Sequence, residues 1–204
     1  MNLNYQKEME TVLASLGESR PRLLLHSCCG PCSSAVLEIV TARFDTTVFF
    51  YNPNILPREE YEKRLYWQRY LLERAPFARG VELIVPDREE EAFWAAARGR
   101  EGEPEGGERC TECFELRLGR TARAAREGGF DFFATTLTVS PHKNAPIINA
   151  IGARLGQELG VRWLPSDFKK KDGYRRSIQL SAEYGLYRQA WCGCGLGTAG
   201  PAGR

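Results

Sequence analysis

No apolar run in this 204-residue chain approaches the ~18–20 residues of a membrane-spanning helix, so no helical membrane anchor is expected. The opening Met1-Asn-Leu-Asn-Tyr-Gln-Lys-Glu-Met-Glu has neither a basic patch nor an apolar stretch, and a secretory leader is not expected either. Charge of one sign is also missing. Lys and Arg total 28 against 26 Asp and Glu, and a formal net of +2 does not announce a nucleic-acid binder. No internal repeat and no interdomain linker is visible, so residues 1–204 read as one domain, long enough to bury a core without disulfide staples. A cytoplasmic location is the expectation, and thiols there stay reduced.

Cysteine, by contrast, is abundant, and none of the seven stands alone. They form three knots: Cys28-Cys29-Gly-Pro-Cys32, Cys110-Thr-Glu-Cys113 and Cys192-Gly-Cys194. An odd number argues against a simple disulfide framework. Tight spacing within remote segments is what a soft-metal or redox site needs, because the fold must bring thiolates to one point.

The pattern of the chain gives a fold class. A short amphipathic helix is predicted over about Tyr5 to Ser15, within a leading segment 1–20 laid on the core. Arg22 to His26 is a compact apolar run that stops at the first cysteine knot, and Ser33 to Thr41 then has helical spacing. Strands are predicted at Thr46–Tyr51, Val81–Val85, Phe132–Leu137 and Val161–Leu164. Helices are predicted at Arg58–Ala75, with Tyr61, Leu65 and Leu72 facing inward, and at Glu89–Arg98, Phe114–Glu127, Ile147–Leu159 and Ser177–Tyr184. Strands alternating with helices imply an α/β layered fold, a parallel sheet flanked by helices. Gly99 to Glu108, with four Gly, four Glu and one Pro, reads as an exposed, lid-like loop leading to the second knot. The Gly/Ala-rich tail over 195–204 is expected to fray.

Two chemistries compete for the knots. Cys29-Gly-Pro-Cys32 at a strand-to-helix junction has the letters of the thioredoxin tetrapeptide, and a helix N-terminus lowers a thiol pKa. A thiol–disulfide oxidoreductase needs only two cysteines, however, and this chain adds five. Cys110 and Cys113 have metal-ligand spacing, and with Cys28 and Cys29 they make four thiolates, the number taken by structural zinc or an iron–sulfur cluster. A purely structural zinc site is one reading. Against it, Cys192 and Cys194 remain as a spare dithiol, and four ligands plus a dithiol read as an electron-transfer site.

Other polar residues gather at predicted strand ends. His142 and Lys143 close the stretch from Thr135, where they either serve a ligand or cap the next helix. Tyr51-Asn-Pro-Asn54 offers an aromatic and two amides to a nucleobase, or is ordinary turn chemistry. Lys169, Lys170, Lys171, Arg175 and Arg176 form a local basic patch, either for phosphates or as a solvated surface.

Together these segments resemble the QueH family, the cobalamin-independent epoxyqueuosine reductases. The resemblance is carried by His26-Ser-Cys-Cys-Gly-Pro-Cys-Ser-Ser34, Tyr51-Asn-Pro-Asn-Ile55, Arg109-Cys-Thr-Glu-Cys-Phe-Glu-Leu-Arg-Leu118, Thr135-Thr-Leu-Thr-Val-Ser-Pro-His-Lys-Asn144, Asp167-Phe-Lys-Lys-Lys171, and Leu186-Tyr-Arg-Gln189 before Cys192-Gly-Cys194. It runs in order from about Arg22 to Cys194 and implies a nucleotide-binding-type α/β fold of the HUP class, although the Gly-rich ATP loop of that class is replaced by cysteines. It implies removal of the epoxide oxygen from epoxyqueuosine in the anticodon wobble position of tRNA, with electrons from an unidentified donor. It places a [4Fe–4S] cluster on Cys28, Cys29, Cys110 and Cys113 and makes Cys192 and Cys194 a redox-active pair. Some members hold an additional mononuclear iron through an acidic residue where this chain has Cys32, which makes Cys32 a candidate metal ligand. His142 or Lys143 is the candidate proton donor, and the basic patch the candidate tRNA contact.

Overall fold

The computed structural model describes residues 3–196. Of the tail expected to fray, the part beyond Leu196 lies outside the described residues. Five strands, β1 (Arg22–His26), β2 (Asp45–Phe49), β3 (Glu82–Ile84), β4 (Phe132–Thr135) and β5 (Arg162–Trp163), form one sheet in the order β3-β2-β1-β4-β5. Every neighbouring pair is parallel. The chain starts in the middle, runs to one edge, and returns to the other side of β1 to lay down β4 and β5. The strand order therefore reverses between β1 and β4, and in open α/β sheets the crevice beyond the strand ends at such a point is where ligands bind.

β1 is buried on both faces, as an interior parallel strand must be. Leu23 and Leu25 pack with Met9 of α1 (Tyr5–Ser15), Val36, Leu37 and Val40 of α2 (Gly30–Val40), and Leu71 of α3 (Arg58–Arg74). Leu24 faces the opposite layer, with Phe114 and Leu118 of the helix Glu108–Glu127 and Ile148 and Ile151 of Ala145–Leu159. With α4 at Glu90–Ala97, these two are α5 and α6, and α7 is Gly173–Glu183.

Several helices start earlier than expected, for local reasons. Instead of starting at Ser33, α2 begins at Gly30: Cys29 caps it in an extended conformation, and Pro31 sits in the first turn, where a missing N–H costs nothing. Likewise α5 begins at Glu108 rather than Phe114, which puts Cys110 and Cys113 in its first two turns. β4 stops at Thr135, whose partner His26 is the last residue of β1, and continues as a 3₁₀ turn over Thr136–Val139. Along α3, Tyr61 and Leu65 are buried as expected, but Leu71 replaces the half-buried Leu72. Glu60, Arg64 and Gln68 are buried there too. α3 crosses α2 closely: a Cβ on Gly30 would lie 2.6 Å from the Trp67 carbonyl oxygen.

α7 is tied to α2 by Arg176, which donates to both carboxylate oxygens of Glu38 at 2.8 and 2.6 Å. These bonds hold the Glu38 carboxyl below its ordinary pKa. The stabilisation is fully present above the unfolded carboxylate's pKa and is lost as pH falls through the depressed folded value. Glu38→Gln should therefore cost about 0.5–1 kcal/mol at neutral pH. Denaturant titrations should show that difference shrinking once the pH drops below about 4. A gap that persists at low pH would contradict it.

Candidate functional site

The site is built on the C-terminal ends of β1 and β4. His26 is fully buried between them. Its Nε2 lies 3.1 Å from the Tyr51 carbonyl, which can only accept, so Nε2 carries the proton and Nδ1 accepts from the Thr135 hydroxyl at 2.8 Å. Burial and the charge of Arg117 push its pKa down to about 3, so the ring stays neutral. It joins the ends of β1 and β4 and the segment after β2, directly beneath the cysteine turn.

Beyond it, the sulfurs of Cys28 and Cys29 approach to 3.8 Å, and those of Cys28, Cys29 and Cys32 all lie within 4.8 Å of one another. Two thiolates on one tetrahedral ion at ~2.3 Å would be separated by about 3.8 Å. Among the described residues this trio is the one grouping of three or more candidate ligands that close. Cys110 and Cys113 are not in it. They line a narrow crevice with Cys192, Cys194, Arg117 and Lys143. A larger cleft of about 380 Å³ is lined by Cys28, Cys32 and Cys192 together with Arg117, His142, Lys143 and Trp191. Cys192, Arg117 and Lys143 line both spaces, and so connect the two sulfur groups.

The donor set suits a soft metal. Cys29 accepts from the Cys32 amide at 3.4 Å and Gln189 Nε2 at 3.1 Å, Cys110 from the Gly106 amide at 3.2 Å, and Cys113 from Arg117 at 3.9 Å. Cys29 and Cys110 also stand at the N-termini of α2 and α5, whose dipoles favour thiolates. The close sulfurs of Cys28, Cys29 and Cys32 therefore fit a soft metal, and Cys110 and Cys113 add two thiols of the same chemistry in the adjoining crevice.

Each sulfur group holds one easily ionised thiol. Hydrogen bonds from Cys29 and Cys32, then the charge of Arg117, hold Cys28 well below the usual thiol range despite its burial. Burial and the neighbouring Cys28 push Cys29 up to about 12, the opposite of what the first cysteine of a thioredoxin tetrapeptide requires. In the second group a hydrogen bond from Cys194 lowers Cys192, burial opposes it, and Lys143, 3.5 Å away, lowers it further. Cys194 is raised by that same bond. Burial works against the Lys143 charge, but Cys192 and Glu105, the latter at 2.6 Å, outweigh it and raise its pKa. Lys143 thus stays cationic beside a thiolate.

The remaining predicted residues lie further out. His142 is exposed at the cleft. In the basic patch Lys169 is paired with Asp167, Lys171 with Glu10 and Arg176 with Glu38, while Lys170 and Arg175 are exposed and make no ion pair among the described residues. The loop before α5 is not loosely draped: Gly106 binds Cys110 and Glu105 binds Lys143. Three site residues escaped the sequence reading: Arg117, Gln189 and Glu105. Arg117 had a signal in its i+4 spacing from Cys113 on one helix. Gln189 closed a motif of the family resemblance without a role assigned to it, and Glu105 had no signal; tertiary contacts bring both to the site.

In the reduced, metal-free protein at neutral pH, brief iodoacetamide treatment should label Cys28 and Cys192 ahead of Cys29 and Cys194. Lys143→Met should slow labelling of Cys192, by about tenfold for each pKa unit regained. Peptide mass spectrometry reads both, and equal labelling of all four would refute the assignment.

Comparison with known proteins gives the family. A family profile described as "Epoxyqueuosine reductase QueH" matches residues 23–199. The chain is 44% identical over 197 residues to a Streptococcus pyogenes protein named Epoxyqueuosine reductase QueH, covering 94% of this chain and 77% of that one. It is 43% identical over 199 residues to the Staphylococcus epidermidis protein of that name, covering 94% and 83%. With the one from Thermotoga maritima it shares 38% over 178 residues, covering 84% and 88%. A profile that matches residues 23–199 and relatives this similar over nearly the whole chain lead to one conclusion: the chain belongs to the QueH family of epoxyqueuosine reductases.

Proposed function

We propose that this protein removes the epoxide oxygen of epoxyqueuosine in the wobble position of a tRNA anticodon, leaving the alkene of queuosine. Beyond family membership, the observation that carries the reading is a single cleft lined by Cys28 and Cys32 from one sulfur group and Cys192 from the other. Deoxygenation breaks both C–O bonds of the epoxide, and release of the oxygen as water consumes two electrons and two protons. Oxidation of the Cys192–Cys194 dithiol to a disulfide supplies two of each, so epoxide plus dithiol balances alkene, water and disulfide. A reductant from outside the chain then restores the dithiol. In this scheme Lys143 holds Cys192 as the thiolate, its proton already released to solvent; Cys194 brings one proton, and His142 passes the other, drawn back from water, to the departing oxygen.

Cys28, Cys29, Cys110 and Cys113 are the proposed holders of a [4Fe–4S] cluster, which when bound supplies electrons one at a time. Cys32, beside the first two, is the proposed ligand for an additional mononuclear iron. The strand order and the position of the cysteine turn support a HUP-class fold, and a cytoplasmic setting suits seven free thiols. Lys169, Lys170, Lys171, Arg175 and Arg176 are proposed to track the tRNA backbone. The close sulfurs of Cys28, Cys29 and Cys32 favour a second reading, in which one zinc ion stabilises a tRNA-binding protein without redox chemistry.

Anaerobic purification decides between the two. The redox reading expects a brown protein with iron, sulfide and broad absorption near ~400 nm, and nucleoside analysis showing conversion of epoxyqueuosine to queuosine. Cys192→Ser and Cys194→Ser should abolish turnover while iron is retained. A colourless protein that contains only zinc would overturn this reading. For tRNA, Lys170→Ala with Arg175→Ala should weaken binding and flatten its salt dependence by about 0.7–0.9 in slope for each lost phosphate contact. Lys171→Ala, already paired with Glu10, should do less; an unchanged slope in the double variant would remove the patch from the interface.

A further inference from the structure

Arg109 is among the largest fully buried side chains of the protein, yet its guanidinium makes no ion pair with a carboxylate among the described residues. Its donors go to backbone carbonyls. Nη1 donates to those of Arg100 at 3.1 Å, Glu101 at 2.9 Å and Glu103 at 2.5 Å. Nη2 donates to that of Leu196 at 2.9 Å. The nearby Glu103 carboxylate instead accepts the backbone N–H of Arg109, at 2.7 Å. One side chain in the first turn of α5, adjacent to Cys110, therefore gathers two separate stretches: the acidic loop and the end of the segment that carries Cys192 and Cys194.

That segment is held at two further points. The Trp191 carbonyl accepts from Arg64 at 3.4 Å and the Gly193 carbonyl from the Leu56 amide at 2.8 Å. Gly193 itself lies so close to Ile55 that an added Cβ would be 2.7 Å from its Cγ1 and 3.0 Å from its Cα. The two thiols are thus fixed between Ile55 on one side and Arg109 beyond Cys194. Only a planar fork with several N–H groups can serve carbonyls from two stretches at once; an ammonium has three donors on one atom.

We infer that Arg109 is the positioning residue of the Cys192–Cys194 pair, setting the approach of the dithiol to Cys110 and Cys113 and to the cleft. This rests on the reading of Cys192 and Cys194 as the redox pair. Displacement of a reacting group by 1 Å costs on the order of 100-fold in rate, so such a clamp acts on turnover more than on substrate binding.

Arg109→Lys keeps the charge but loses the fork, and Gly193→Ala disturbs the same segment from the Ile55 side. In anaerobically purified holoenzyme, both should retain iron and sulfide, and the KM for tRNA should stay within about twofold. The kcat should fall by about tenfold or more, and iodoacetamide should reach the buried Cys194 about tenfold faster. Unchanged kcat and unchanged Cys194 labelling in Arg109→Lys would overturn the inference. So would a loss of kcat in step with a loss of iron, which would assign Arg109 to the metal at Cys110 instead. Should the wild-type protein fail to reduce epoxyqueuosine in tRNA, the functional reading falls on that result alone. The labelling comparison still decides the role of Arg109: faster labelling of Cys194 upholds the clamp and unchanged labelling removes it.

Discussion

Burying thiols that must give up their protons requires a positive charge buried with them, and Arg117 supplies it. Its guanidinium is almost fully enclosed, donating to the sulfur of Cys113 at 3.9 Å and to Asn52 Oδ1 at 2.8 Å. Asn52 in turn donates to the Ser27 carbonyl at 2.8 Å, immediately before the first cysteine knot. One chain of contacts therefore runs from α5 through the segment after β2 to the end of β1. It balances charge and sets the geometry of the cysteine turn together. Burial first, and then this cation, keep His26 neutral, and the cation adds to the hydrogen bonds from Cys29 and Cys32 that lower Cys28. Without it the site would face the cost of an uncompensated buried charge, which is several kcal/mol per ion even after relaxation.

The division of the sulfurs is a consequence of the sheet. Because order reverses between β1 and β4, the turn after β1 and the turn after β4 flank one crevice, and the Cys28 turn and His142–Lys143 are its two sides. The N-terminus of α5 brings Cys110 and Cys113 to the adjoining narrow crevice. The C-terminal segment adds Cys192 and Cys194 last, held by hydrogen bonds to its carbonyls from Arg64, Arg109 and the Leu56 amide rather than by membership of any strand or helix. Each of the three knots thus arrives on a different kind of structure: a strand-to-helix turn, a helix start and an irregular segment.

How much of this was legible in the sequence follows from how local each cause is. The strands and the polarity of the sheet were legible because apolar β-branched and aromatic runs report burial directly. Helix starts were misplaced by three to six residues at α2 and α5 because cysteine caps and a Gly-Glu loop carry no familiar capping signature. The cysteine knots grouped Cys32 with Cys28 and Cys29, as the fold does, but did not show that Cys110 and Cys113 would line a second space. The basic patch looked uniform in sequence. In the fold its charges differ, since Glu10 and Glu38, far away in the chain, take up Lys171 and Arg176. Gln189 and Glu105 could not be found from spacing, because what makes them part of the site is a contact across the fold.

The buried His26 has a consequence for traffic through the site. With one nitrogen protonated toward the Tyr51 carbonyl and the other filled by the Thr135 hydroxyl, the ring is locked in one tautomer and has no free position for a passing proton. The floor beneath the cysteines is proton-inert. The sulfurs of Cys28, Cys32 and Cys192 meet solvent on the opposite side, through the cleft they line, so their protons exchange there and not through the sheet.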